Sequence, residues 1–221
     1  MMSLGGVRRA VHPLLLKLWM RHARDKELTT QIDGLTLKVL PTVFHPWFFG
    51  SSRIFAEYLV TIGLEGKRFL DLGTGSGIVG LHAARAGAIV TAVDINPKAV
   101  ECARLNATRA GLVLDCRESN LFSALTSEQF DVIAWNPPFF PKHIKSPGEA
   151  AFYAGEDYAV IRRFACEAPS YLTSDGRIFL ILSRDLDFSK WEDIFRCAGL
   201  RLEVREERRW GWETMLLIEV D

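Results

Sequence analysis

Short apolar runs alternate with amphipathic stretches along most of the chain, the pattern of strands joined by crossover helices. Residues 69–72, 88–93, 112–116, 130–135 and 177–182 predict five strands. Helices are expected between them, over residues 78–86, 97–110, 158–171 and 186–198. Asn96 is placed to cap the second of these, with Pro97 at its first position and Gly111 at its end. Residues 122–126 read as one helical turn. Residues 200–208 and 214–220 predict two last strands, joined through Arg209-Trp210-Gly211-Trp212, where both tryptophans read as packing residues.

The first part of the chain has a different rhythm. Residues 7–25 predict one helix with Leu14, Leu15, Leu18 and Trp19 on a stripe. Its many basic residues are either a solvated face or an arm that touches a partner. Asp33-Gly34 between residues 29–32 and 35–39 predicts a two-residue hairpin, a flap or edge ahead of the main sheet. Residues 43–52 hold four aromatics in a turn-rich stretch, and Ser51 or Ser52 is expected to cap a helix over 53–62. His45, followed by Pro46 and without an acidic neighbour in sequence, reads as structural. The organisation expected is an extension over 1–42 and a main domain over 43–221.

Composition changes this picture little. The 221 residues are 48% hydrophobic and 24% charged, enough for one domain with a core. Lys+Arg and Asp+Glu are both 27, so net charge is zero, which argues against avid non-specific binding of polyanions. Cys102, Cys116, Cys166 and Cys197 lack metal-ligand spacing and read as reduced thiols of a cytoplasmic protein. No metal site, signal peptide or membrane span is expected.

The chemistry starts at Asp71-Leu72-Gly73-Thr74-Gly75-Ser76-Gly77. Glycines at alternate positions after a strand let the backbone turn tightly and let a ligand approach it. Two ligands fit. Gly75 to Gly80 matches GxGxxG, with Asp94 at the end of the next strand to hold a ribose, as in a nicotinamide-dependent oxidoreductase. Asp71, one spacer and alternate glycines matches a loop for S-adenosylmethionine. That second reading accounts for Asp71, since a carboxylate in an apolar strand needs a partner, either a ligand ammonium or the loop's own N–H groups. A pyrophosphate would be repelled by it.

Asn136-Pro137-Pro138-Phe139, at the end of strand 130–135, breaks the tie. With Asp71 to Gly77, Val93-Asp94-Ile95-Asn96-Pro97 and Asn120-Leu121-Phe122, in this order and spacing, the chain resembles class I S-adenosylmethionine-dependent methyltransferases that modify a planar nitrogen. The resemblance implies an α/β fold: a doubly wound, mostly parallel seven-stranded Rossmann-like sheet with an antiparallel last strand, here preceded by the N-terminal helix and hairpin. It also implies a role for each matched residue. Asp71, Gly73, Thr74, Gly75 and Gly77 would hold the methionine part of the cofactor, Asp94 its ribose, Ile95 one adenine face, and Asn120 the adenine amine. Asn120 stands where the family usually has an acidic residue, so its contact carries less charge assistance. Ser52 and Asn136 are further cofactor contacts.

Asn136 and Pro137 would carry the reaction. The Asn136 side-chain oxygen and the Pro137 carbonyl can each accept one N–H of the acceptor nitrogen, while Pro138 and Phe139 complete its pocket. All of this requires Asp71 and Asn136 to face one shared hollow. Residues 140–155 are expected to form a lid over the acceptor. The resemblance implies a macromolecular acceptor, either a glutamine of a release factor or other protein, or a base of ribosomal or transfer RNA. Release-factor enzymes more often have Tyr at Phe139 and a larger helical N-terminal domain, and zero net charge speaks against RNA. The choice stays open here. A non-catalytic subunit of the same fold is disfavoured by the intact Asn136 motif.

Overall fold

The computed structural model describes residues 26–46, 50–146, 149–211 and 213–221. The helix expected over 7–25 lies outside the described residues, as do Trp47, Phe48, Phe49 and Trp212.

Seven strands form one sheet: β3 (Arg68–Leu72), β4 (Ile89–Asp94), β5 (Asp115–Glu118), β6 (Phe130–Trp135), β7 (Leu172–Ser183), β8 (Leu202–Trp210) and β9 (Glu213–Val220). Their order is β5-β4-β3-β6-β7-β9-β8. The first five strands are parallel to one another, whereas β9 enters antiparallel between β7 and β8. The expected topology is the observed one.

Residues along each strand alternate between two apolar layers. Phe69, Val90, Ala92, Val132 and Ala134 face helices α1 (Ser51–Leu59), α2 (Ile78–Arg85) and α3 (Pro97–Ala110). Leu70, Leu72, Val93, Ile133 and Trp135 face α4 (Ala159–Glu167) and α5 (Phe188–Cys197). Helices therefore cover both faces, and the central strands read as near-continuous apolar runs. Cys102 and Cys116 are buried thiols, Cys166 and Cys197 exposed ones.

The hairpin of β1 (Leu28–Ile32) and β2 (Leu35–Val39) is a separate two-stranded sheet. Asp33 (φ 50°) and Gly34 (φ 80°) both take positive φ, as a two-residue turn matched to strand twist requires. The hairpin is docked rather than loose. Ile32, Leu35 and Leu37 belong to the core under α1–α3. Arg53 donates to both Asp33 carboxylate oxygens, at 2.7 and 3.2 Å. Asn106 of α3 accepts from Lys38 N (2.8 Å) and donates to Lys38 O (2.8 Å).

Four local expectations are corrected. Strand β5 begins at Asp115 rather than 112, because Leu112 N closes the end of α3 by donating to Ala107 O. Residues 121–124 make a hydrogen-bonded turn instead of a helical one, since Ser119 Oγ captures Ala124 N and Phe122 is buried against Phe164 and Tyr171. The stretch expected as one helix over 158–171 splits into α4 flanked by 3-10 turns. Neither Ser51 nor Ser52 caps α1. The cap position is Gly50, in the left-handed region at φ 59°, and both serines lie in the first turn. Asn96 does cap α3, accepting from Lys98 N at 3.0 Å.

Candidate active site

Three loops leave the same edge of the sheet. Leu72 is paired with Val93 on one side and with Trp135 on the other. The next residue on each strand is therefore at one level: Gly73, Asp94 and Asn136. The strand order reverses between β3 and β6, and a crevice opens where neighbouring connections diverge to opposite faces. A hollow of about 1280 Å³, its open mouth included, occupies that place.

The glycine loop forms its floor. Gly73 N and Thr74 N both donate to Val93 O, at 2.8 and 3.0 Å. Gly73, Gly75 and Gly77 have φ of 68°, 55° and 86°. A Cβ on Gly75 would meet nothing within 4 Å, so the space above it is open, whereas one on Gly77 would lie 3.0 Å from the Ala103 backbone. Gly77 thus lets the loop press onto α3 and does not line the hollow.

Asp71 is also beneath the loop. It is 3% exposed, and its Oδ2 accepts from Thr74 Oγ1 (2.6 Å) and Gly80 N (2.9 Å). Of the two partners expected for this carboxylate, the loop's own donors are the ones found. Burial pushes its pKa up to about 6, against the pull of those two hydrogen bonds. The requirement that Asp71 and Asn136 face one shared hollow therefore fails for the Asp71 side chain, which shapes the floor from below; Asn136 shares the hollow instead with Gly73, Thr74 and Gly75, the loop that Asp71 supports.

Asp94 lines the hollow but is already engaged. Gly75 N donates to Oδ2 and Asn96 N to Oδ1, both at 2.9 Å. A carboxylate has about four lone-pair sites, so acceptor capacity remains on each oxygen. Burial raises the Asp94 pKa and the backbone donors oppose that rise. Ile95, 41% exposed, and Asn120 also line the hollow, and the Asn120 carbonyl accepts from Arg163.

The opposite wall is apolar. Val43 and Phe44 from the segment after β2, Phe139, Phe140, Phe152 and Tyr153 line it. Phe44 and Phe152 rings are 5.5 Å apart, and Phe140 exchanges backbone hydrogen bonds with Phe152 and Ala154. The described ends of the segment expected as a lid thus meet at one side of the hollow and line it. Asn136 stands between floor and wall, with Nδ2 donating to Ser52 Oγ (2.9 Å) and Ser51 Oγ (3.1 Å). His45 is 3% exposed, and burial lowers its pKa to about 4, which keeps it neutral.

The hollow therefore gathers Ser52, Gly73, Thr74, Gly75, Asp94, Ile95, Asn120, Asn136, Pro137, Pro138 and Phe139. Sequence reasoning missed Ser51, Trp135 and Asn106. Asn106 is 1% exposed and also donates to Ser76 O (2.9 Å), which ties the glycine loop to the hairpin. The signal was available: it is the polar residue on the helix face that otherwise presents Ala99, Cys102 and Ala103.

A family model for the methyltransferase small domain matches residues 34–200. The chain belongs to that family. A Methanocaldococcus jannaschii protein named as a putative protein N5-glutamine methyltransferase is 30% identical over 194 residues, covering 85% of this chain and 96% of that one. The release factor glutamine methyltransferase of Streptococcus pneumoniae is 34% identical over 160 residues, 66% of this chain and 56% of that one. A T. thermophilus 16S rRNA N2 G1207 methyltransferase, solved with AdoMet and guanosine, superposes with a TM-score of 0.60 at 23% identity, over 88% of this chain and 50% of that one. The chain thus spans nearly all of the first relative and about half of the other two.

The methyltransferase is S-adenosylmethionine-dependent, and the oxidoreductase and non-catalytic alternatives fall away. The hollow fits that cofactor's charge. Among its described lining residues the charged ones are Asp94 and Glu213, and no lysine or arginine is present. A sulfonium and an ammonium suit such a lining better than a pyrophosphate does. No described helix is long and apolar enough to cross a membrane.

Proposed function

We propose that this methyltransferase modifies the side-chain amide nitrogen of a glutamine in a protein of the translation apparatus, in the cytoplasm. The observation that carries the reading is the described lining around Asn136, which is charged only at Asp94 and Glu213 and holds no arginine or lysine, so that it offers a site to a flat neutral amide and none to a phosphate. The M. jannaschii relative, similar over almost its whole length, supports the same choice.

When bound, S-adenosylmethionine supplies an electrophilic methyl on a positively charged sulfur. The chain's residues supply orientation. Gly73, Thr74 and Gly75 offer the backbone floor, with Asp71 and Gly77 holding its shape from beneath. Asp94 would accept from the ribose hydroxyls, Ile95 would cover one adenine face, and Asn120 would accept from the adenine amine. An amide nitrogen is a poor nucleophile because its lone pair is delocalised into the carbonyl. Asn136 Oδ1 and the Pro137 carbonyl each accept one of its two hydrogens and fix the nitrogen's direction. Pro138 and Phe139 close on the flat group. Transfer would exchange the sulfonium C–S bond for a new N–C bond, with the nitrogen releasing one proton to solvent. In this reading residues 1–42 are an extension and 43–221 the catalytic domain.

Incubating host-cell extract with enzyme and methyl-labelled S-adenosylmethionine tests the reading. Label should be removed by protease and recovered as N-methylglutamine after enzymatic digestion. Label removed by nuclease would instead assign an RNA base as acceptor.

A further inference from the structure

We infer that Ser51 and Ser52 are positioning residues that anchor the Asn136 side chain by its nitrogen end and leave its oxygen end toward the acceptor. The inference rests on the role proposed above for Asn136. An asparagine amide has two ends of nearly equal size and opposite hydrogen-bonding character, and its last torsion is broad and roughly two-fold. Only the oxygen end can accept an N–H from the acceptor. Turned the other way, Asn136 would present donors to donors.

The first turn of α1 holds the nitrogen end. Ser51 and Ser52 are 3% and 8% exposed, and their oxygens take both hydrogens of Nδ2, at 3.1 and 2.9 Å. Asn136 Oδ1 has no hydrogen-bond partner among the described residues. It is the one polar atom of that side chain left for a ligand, on a residue that lines the hollow. The serines are 84 and 85 positions away in sequence and have no role as helix caps, so the cap preference of serine does not account for them. Two neighbouring hydroxyls at the start of α1 instead give one acceptor for each Nδ2 hydrogen.

The test uses the full chain with Ser51→Ala, Ser52→Ala, the double variant, Ser51→Thr, Ser52→Thr and Asn136→Ala. Three quantities are read: S-adenosylhomocysteine affinity by calorimetry, the rate of methyl transfer into extract macromolecules at saturating cofactor, and the exchange of the Asn136 Nδ2 hydrogens by nitrogen-15 NMR. Asn136→Ala identifies the NMR signal by its loss. The double alanine variant should lose slow Nδ2 exchange and, at saturating cofactor, transfer about 10²-fold more slowly, the cost of a misplaced group. Threonine, which keeps the hydroxyl, should restore slow exchange and most of the rate. If the double variant does not fold, the single variants carry the same comparison. A wild-type rate in either alanine series, or a loss of cofactor affinity that accounts for the slower rate, overturns the inference. An unchanged rate in Asn136→Ala overturns the underlying reading instead.

Discussion

A Cβ on Gly50 would lie 2.5 Å from Cδ2, Cε2 and Nε1 of Trp210. The tip of the β8–β9 hairpin therefore rests on the bare α carbon that starts α1, next to the serines that hold Asn136. Trp210 packs against the core under α1–α3, as a packing residue should. Gly50 is required twice, for its positive φ and for the space its missing side chain leaves. Gly50→Ala should cost about 2–4 kcal/mol from left-handed strain and overpacking together. Urea unfolding measures it. Adding Trp210→Ala should recover the packing part, and a strictly additive double variant would refute the contact.

Asn136→Ala should bind S-adenosylhomocysteine as the wild type does and lose methyl transfer by about 10²–10³-fold, the scale for removing one oriented polar group from a reacting centre. Single-turnover transfer and calorimetry separate the two effects. Weakened cofactor affinity with an unchanged rate would assign Asn136 to the cofactor alone.

Asp94→Ala should act the other way, on binding. Loss of a charged acceptor costs about 1.5–3 kcal/mol, equivalent to about 10- to 100-fold in dissociation constant. Burial raises the Asp94 pKa, so cofactor affinity of the wild type should fall as pH drops through the acid range, when protonation removes an acceptor oxygen. The same titration in Asp94→Ala should be flatter.

Asp71 makes a prediction about stability. Its folded pKa is about 6 against an ordinary 3.8. A raised carboxyl favours the neutral form in the folded state, so its contribution is fully present below the unfolded pKa and lost as pH rises through about 6. Between pH 4 and 7 the wild type should lose up to about 3 kcal/mol relative to Asp71→Asn. Denaturant melts at several pH values give the difference, and parallel stability curves would contradict the buried charge.

The fold was largely legible because most strands and helices announce themselves locally. The asparagine cap and proline at 96–97 and the Asp33-Gly34 turn need only neighbours in sequence, and each stands where chemistry puts it. Misreadings occurred where a distant partner wins. Ser51 and Ser52 look like caps until Asn136 recruits them. Asp71 looks like a ligand contact until Thr74 and Gly80 satisfy it. Asp94 looks open until the glycine loop folds back and donates Gly75 N. In each case sequence shows what a polar group needs, and only the tertiary arrangement shows which donor arrives first.

The pairing of Leu72 with Val93 and Trp135 has an evolutionary consequence. The floor of the donor cavity and the proline-rigidified asparagine are registered by one ladder of peptide hydrogen bonds, deep in the molecule. The segments that would greet an acceptor, around Phe44 and from Phe140 to Tyr153, hang outside that ladder. Under the proposed reading, drift in them would change which molecule is modified while leaving the register of Gly73, Asp94 and Asn136 intact, so one scaffold could diversify its clientele without rebuilding its chemistry.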